Sequence, residues 1–134
     1  MSLTVDLADP TPIYAQLERV IRAEIATGRL GAGSRLPTVR QLAVELRINA
    51  NTVAKVYSGL ERAGVLSTQR GVGTFVREHA EPHAKVNARE RERLLNQVTD
   101  RLLADAHAFG LDIDEVLHHL DSRRTKARVS TGVP

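Results

Sequence analysis

Two helix starts sit close together in the middle of the chain, and their spacing leaves room for one compact arrangement. Thr38-Val-Arg-Gln41 fits the Ser/Thr-x-x-Glu/Gln box, in which each side chain takes an amide that the helix leaves unpaired. Arg35-Leu36-Pro37 before it should be extended, because proline pushes its predecessor out of the helical region. The helix started at Thr38 runs to about Leu46 and turns Val39, Leu42, Ala43 and Leu46 inward. After the turn Arg47-Ile48, Asn49 is a second good N-cap. The next helix runs from Ala50 to about Ala63, where Gly64 offers a left-handed stop.

The flanks complete the order. Thr11-Pro12 reads as an N-cap followed by proline at the first helical position, and Ile13, Leu17, Val20, Ile21 and Ile25 recur at helical spacing until Gly28. This is a first helix over residues 12–27. Leu3-Thr-Val-Asp-Leu7 alternates apolar and polar residues, as a short strand does. Downstream, residues 65–70 and 74–77 are two β-prone runs joined by Gly71-Val72-Gly73, which reads as a hairpin. Three helices followed by a hairpin is the winged helix-turn-helix order. Residues 78–87 are a polar linker containing Pro82. Asn87 and Glu90 then form a cap-like pair ahead of an apolar stripe of Leu94, Leu95, Val98, Leu102, Ala106 and Phe109, stopped by Gly110. Asp112 with Glu115 can cap a last helix, with Leu111 and Val116 as a hydrophobic staple, ending near Arg123. The expected organisation is mainly α with a small β wing: a winged domain over 1–77, a linker over 78–87, a two-helix dimerisation segment over 88–123 and a disordered basic tail over 124–134.

Charge is distributed unevenly. Residues 33–77 carry seven cations (Arg35, Arg40, Arg47, Lys55, Arg62, Arg70 and Arg77) against two acids, Glu45 and Glu61. Residues 78–121 are net acidic, with ten acids and five cations. A basic middle beside an acidic segment suggests one surface built for a polyanion and another kept off it. No cysteine is present, which rules out disulfides and thiolate metal sites. No apolar run approaches the roughly 18–20 residues of a membrane span, and the first residues have no export signature. The expected location is the cytoplasm, on the nucleoid.

The third helix carries the strongest functional signal. Val53, Val56, Tyr57 and Leu60 cluster on one side, and Asn51, Lys55, Ser58 and Arg62 on the other. The outward face offers an amide, an ammonium, a hydroxyl and a guanidinium, with no carboxylate. Asn can pair bidentately with adenine, Lys can reach guanine or phosphate, and Thr52 can touch a thymine methyl. Alone, such a face is most often plain solvated surface; the compact second helix, the turn and the basic hairpin around it favour a major groove. Arg40 and Thr38 lie at the second helix's start, where free amides also suit phosphate. The tip from Arg70 to Thr74 resembles a phosphate-binding G-x-G loop, but a strand and not a helix follows it. Its glycines are thin enough to enter a minor groove, with Arg70 as the cation such a groove attracts.

Taken together, Pro12-Ile-Tyr-Ala-Gln-Leu17, Gly31-x-Gly-Ser-Arg-Leu-Pro-Thr-Val-Arg-Gln-Leu-Ala43, Asn51-Thr-Val-Ala-Lys-Val-Tyr57, Leu60-Glu-Arg-Ala-Gly-Val-Leu66 and Arg70-Gly-Val-Gly-Thr-Phe-Val76 resemble the GntR family of bacterial repressors. The Asn-Thr-Val-x-Lys-x-Tyr form of the third helix is similar to the YtrA-type branch. The resemblance covers about residues 10–77. It implies a repressor that binds an inverted repeat of double-stranded DNA as a homodimer. It also implies that Arg40 and the 49–55 stretch contact the major groove, while Gly71 and Gly73 enter the minor groove. Many relatives carry Arg where this chain has Ala50 and Ala54, so base readout here rests on fewer groups. The expected DNA-contacting set is Thr38, Arg40, Asn49, Ala50, Asn51, Thr52, Lys55, Tyr57, Arg70, Gly71 and Gly73.

Most of the wider family attaches a ligand-binding domain, whereas two helices alone cannot enclose the roughly 300 Å³ of a typical pocket. Their stripe would be exposed on a single chain, and pairing with a second copy covers it. Leu94, Leu95, Val98, Leu102, Phe109 and Leu117 are the expected dimer interface. Of His79, His83, His107, His118 and His119, the first two lie in the linker and no two sit at i, i+4 on an ordered helix with a carboxylate partner, so they read as surface histidines. No metal, cofactor or catalytic constellation is expected, and the chain is not read as an enzyme. The competing reading is a winged-helix protein-interaction module, which would not need a carboxylate-free outer face on the third helix.

Overall fold

In the computed structural model of the chain, residues 3–78 and 87–130 are described, with backbone alone over 125–130. Two compact units divide the chain, the second spanning residues 81–126.

The N-terminal unit is built around one helix face. Helix α1 (Ile13–Ala26) buries Leu17 and Ile21, α2 (Val39–Leu46) buries Leu42 and Ala43, and α3 (Ala50–Arg62) buries Val53, Val56, Tyr57 and Leu60. These side chains, with Leu3, Leu30, Leu36, Leu66 and Val76, form a single core. The core is aliphatic apart from Tyr57, as expected of a chain that is only 3% aromatic. Fully burying one such side chain stabilises the fold by about 1.5–3 kcal/mol, so the cluster, and not helix propensity, holds these short helices.

Strands β1 (Leu66–Gln69) and β2 (Gly73–Val76) pair antiparallel, Leu66 opposite Val76 and Gln69 opposite Gly73. The turn is therefore residues 70–72, and Gly73 belongs to the strand. The 33–36 segment lies along the other side of β2, where Arg35 and Phe75 form a bridge. The extended conformation expected before Pro37 thus has a partner.

Two expectations at the N-terminus meet a different outcome. Leu3-Thr-Val-Asp-Leu7 forms no strand; Leu3 is buried in the core, and the side chain of Gln16 takes the place of a neighbouring strand. Its Oε1 accepts from the Asp6 N–H at 2.8 Å, and its Nε2 donates to the carbonyls of Asp6 at 3.0 Å and Thr11 at 2.8 Å. Thr11 is not the cap of α1: Pro12 occupies that position without a side-chain bond, and the Pro12 carbonyl accepts from Ala15 and Gln16. The linker, apart from Glu78 and Asn87, and with it His79 and His83, lies outside the described residues.

The second unit contains α4 (Ala88–Ala108) and all but the last turn of α5 (Ile113–Ser130). Asn87 Oδ1 accepts from the Glu90 N–H at 2.8 Å, which starts α4 as its sequence suggests. Phe109 closes α4, and Gly110 takes a φ of 70°. Glu115 Oε2 accepts from the Asp112 N–H at 3.3 Å, giving one half of the box expected ahead of α5. Helix α5 runs to Ser130, past the end expected near Arg123, so the basic stretch from 124 continues the helix and is not a disordered tail over those residues. Residues 131–134 lie outside the described residues. Ala106 alone is buried among the described residues of this unit.

Gly59 lies in the interior of α3, and a Cβ built on it meets nothing within 4 Å. Glycine costs a helix interior about 0.5–1 kcal/mol relative to alanine. Gly59→Ala is expected to stabilise the DNA-free protein by about that amount in urea denaturation; a loss of stability would show that the groove beside Gly59 is filled.

Candidate nucleic-acid interface

The interface begins with the capping box. Thr38 Oγ1 accepts from the Gln41 N–H at 3.1 Å, and Gln41 Oε1 accepts from the Thr38 N–H at 2.9 Å. Thr38 is therefore committed to the helix start, and Arg40, one residue into α2, is exposed beside it. The turn into α3 is tight because Arg47 takes the left-handed conformation, φ 58° and ψ 45°. It is the only non-glycine residue with positive φ among those described. Such a backbone costs a non-glycine residue of order 1–3 kcal/mol, which the packing on either side must offset. Asn49 then caps α3, its Oδ1 accepting from the Asn51 N–H at 2.8 Å.

The inward face of α3 is anchored by a bond as well as by packing. Tyr57 is 5% exposed, and its hydroxyl donates to the Pro37 carbonyl at 2.8 Å. Burial, with the Glu45 carboxylate adding to it, pushes the phenol well above its ordinary range, so it remains a neutral donor. Among the residues expected to touch DNA, Tyr57 thus faces the core and ties α3 to the segment leading into α2.

The outward face is arranged as its periodicity suggests. Asn51, Lys55, Ser58 and Arg62 are exposed and, with Ala54, line one shallow concavity. Ala50 is exposed at the helix start, while Thr52 is half-buried. Thr52 and Lys55 also border a second groove, shared with Tyr14, Glu18 and Arg22 of α1. Tyr14 was not singled out by periodicity, yet it is 58% exposed. On the wing, Arg70 and Gly71 are exposed at the tip, Gly71 with φ 75° and open space around it, and Gly73 is half-buried in β2.

Electrostatics are one-sided. All seven cations of the 33–77 segment are exposed, and none belongs to an ion pair among the described residues. Arg40 in particular pairs with neither Glu45 nor Glu61. Glu61 is instead turned to the wing, where its Oε2 accepts from the Thr68 hydroxyl at 3.1 Å. Unpaired surface cations of this density attract a polyanion and repel one another without it.

The second unit contributes a different surface. Leu94, Leu95, Val98, Leu102, Phe109 and Leu117 are all exposed, from 38% for Leu94 to 76% for Phe109. Leu102, Ala106, Phe109, Leu111 and Val116 line an open apolar cleft between α4 and α5, with His119 at its rim. No cluster of three or more metal-ligating side chains occurs among the described residues. No described helix is long and apolar enough to cross a membrane.

Comparison with known proteins decides the family. Residues 13–76 match the family of bacterial regulatory proteins named gntR, and the chain is 32% identical to the transcriptional repressor YtrA of Bacillus subtilis over 85% of both chains. The chain belongs to the GntR family. Its fold is similar to that of YtrA from Sulfolobus acidocaldarius, a GntR-family transcription factor, at 32% identity and a TM-score of 0.55. That match covers 76% of this chain and 97% of the archaeal one. A structure solved with DNA, the AraR DNA-binding domain in complex with operator ORX1, matches 55% of this chain and 93% of its own, with 26% identity and a TM-score of 0.50. The chain is thus a DNA-binding transcription regulator of the GntR type and not an enzyme.

If the Tyr57–Pro37 bond anchors the reading helix, Tyr57→Phe should cost about 1 kcal/mol of stability in thermal or urea unfolding. Unchanged stability would mean that packing alone sets the position of α3.

Proposed function

We propose that this GntR-type regulator is a repressor that binds an inverted-repeat operator as a homodimer, with α3 in the major groove and the wing in the minor groove. The observation that carries the reading is the outward face of α3: Asn51, Lys55, Ser58 and Arg62 stand exposed together with no carboxylate among them. Asn51 is the best candidate for base readout, because its carboxamide has no partner among the described residues and suits the adenine edge. Arg40, the amide end of Asn49, and Thr52 flank it, Ala50 leaves room for close approach, and Thr38 holds the helix start against the phosphates. Tyr57 acts from behind, by fixing the height of α3. Arg70 and Gly71 extend the contact to the neighbouring minor groove. The likeness to a repressor of Bacillus subtilis and to the AraR domain in complex with its operator supports this assignment.

Dimerisation follows from the second unit. Six apolar side chains expected at an interface are exposed within one chain, and a second copy with the same stripe covers them symmetrically. Two winged domains held this way match half-sites about one helical turn of DNA apart or a multiple of it.

DNA selected by the protein from random sequence supplies the operator for two tests. Asn51→Ala should weaken binding by about 1–3 kcal/mol and relax base preference at one position of each half-site. Lys55→Ala should weaken all sequences alike and lower the slope of log K against log salt by about 0.9. Unaltered selection by the Asn51 variant would remove α3 from the bases.

For the dimer, Val98→Glu is expected to yield a monomer in sedimentation equilibrium that has lost its preference for the full repeat over a half-site. A Val98→Glu dimer would place the interface elsewhere.

A further inference from the structure

We infer that Arg35, outside the contact set given above, is a DNA-contacting side chain of the wing, and that Gly73, where a φ of 147° already favours glycine, leaves the bare backbone across which Arg35 lies. This rests on the wing-in-groove reading and extends it to a segment far from the hairpin in sequence.

The backbone around Arg35 is fixed as firmly as a strand. Gly33 N–H donates to the Val76 carbonyl at 2.9 Å, Val76 N–H to the Ser34 carbonyl at 2.8 Å, and Leu36 N–H to the Thr74 carbonyl at 2.8 Å. Arg35 and Phe75 are bridge partners in this antiparallel pairing. A long side chain in such a pair can reach the diagonal neighbour two residues along the same face. Here that neighbour is Gly73, next to the turn. A Cβ on Gly73 would stand 2.9 Å from Arg35 Nε and 3.4 Å from its Cζ and Nη2, so the guanidinium rests over bare backbone. Any side chain at this position would displace it.

This seat points the guanidinium towards the hairpin end that holds Arg70 and Gly71. Arg35 is exposed and takes part in no ion pair among the described residues. Two guanidinium groups, one on the hairpin and one on the segment beside it, repel each other in the unbound protein, and a phosphate backbone relieves that repulsion. A strand glycine also forgoes side-chain packing, and the Arg35 seat gives that loss a function. Gly73 then has a different role from Gly71: the tip glycine leaves the wing thin, while the strand glycine positions a cation.

The experiment uses full-length protein and fluorescence anisotropy on the selected operator at several salt concentrations. Arg35→Ala and Arg35→Gln are expected to weaken binding on the order of tenfold, across sequences, and to lower the salt slope by about 0.9. Arg70→Ala is the companion measurement. If Arg70→Ala weakens binding and both Arg35 variants leave affinity and slope unchanged, the role of Arg35 is overturned and the wing reading stands. If none of the three has an effect, the wing is off the DNA and both fall. Gly73→Ala, made in the native and Arg35→Ala backgrounds, tests the seat. The backbone there has φ 147°, so thermal melts check that both variants fold. Alanine at 73 should reduce affinity in the native background and cause no further loss when Arg35 is already absent. An equal loss in both backgrounds would give Gly73 its own contact with DNA and overturn the seat.

Discussion

The proposed recognition face depends on how α3 is held from behind. Val53, Val56, Tyr57 and Leu60 press one side of the helix into the core, and the Tyr57 hydroxyl fixes it to the Pro37 carbonyl. The opposite side gains a defined height and rotation only through that attachment. Its polar groups are ordinary, and their common direction is what gives them a use. Because Pro37 directly precedes the capping threonine of α2, one hydrogen bond ties α3 to the first turn of its neighbour. Both elements of the proposed interface therefore share a support.

The acids of the N-terminal unit are placed so as to leave the cations free. Glu18 pairs with Arg22 on α1, Glu24 lies 3.8 Å from Arg29, and Glu61 accepts a hydroxyl from the wing. None of these reaches the cations of the 33–77 segment. Exposed ion pairs contribute little to stability, so leaving those cations single costs the fold little while they repel each other only across water. The same arrangement keeps a positive field over α2, α3 and the wing.

Most of this was legible because it is local. The Thr38–Gln41 box and the Asn49 cap are written into single residues at fixed spacing, and both form as written. The wing was legible for the same reason, since its glycines bracket two β-prone runs. What could not be read depends on partners distant in sequence. Leu3–Leu7 alternates like a strand, but no pattern announces that the amide of Gln16 will pair with it. Periodicity puts Tyr57 on the inward face of α3, but nothing local announces that its hydroxyl will bond the Pro37 carbonyl twenty residues away. Gly73 looks like a tip residue until the register assigns it to β2 and the 33–36 segment arrives beside it. The end of α5 was misjudged because a run of cations resembles a solvated tail, although arginine and lysine are good helix formers and suit a helix C-terminus.

The second unit has a thermodynamic consequence. Helices α4 and α5 bury a single side chain, Ala106, among their described residues, and short helices in water are marginal without packing. The second copy proposed above would supply that packing through mass action. Helicity in this part of the chain would then depend on concentration, whereas the winged unit has a core of its own.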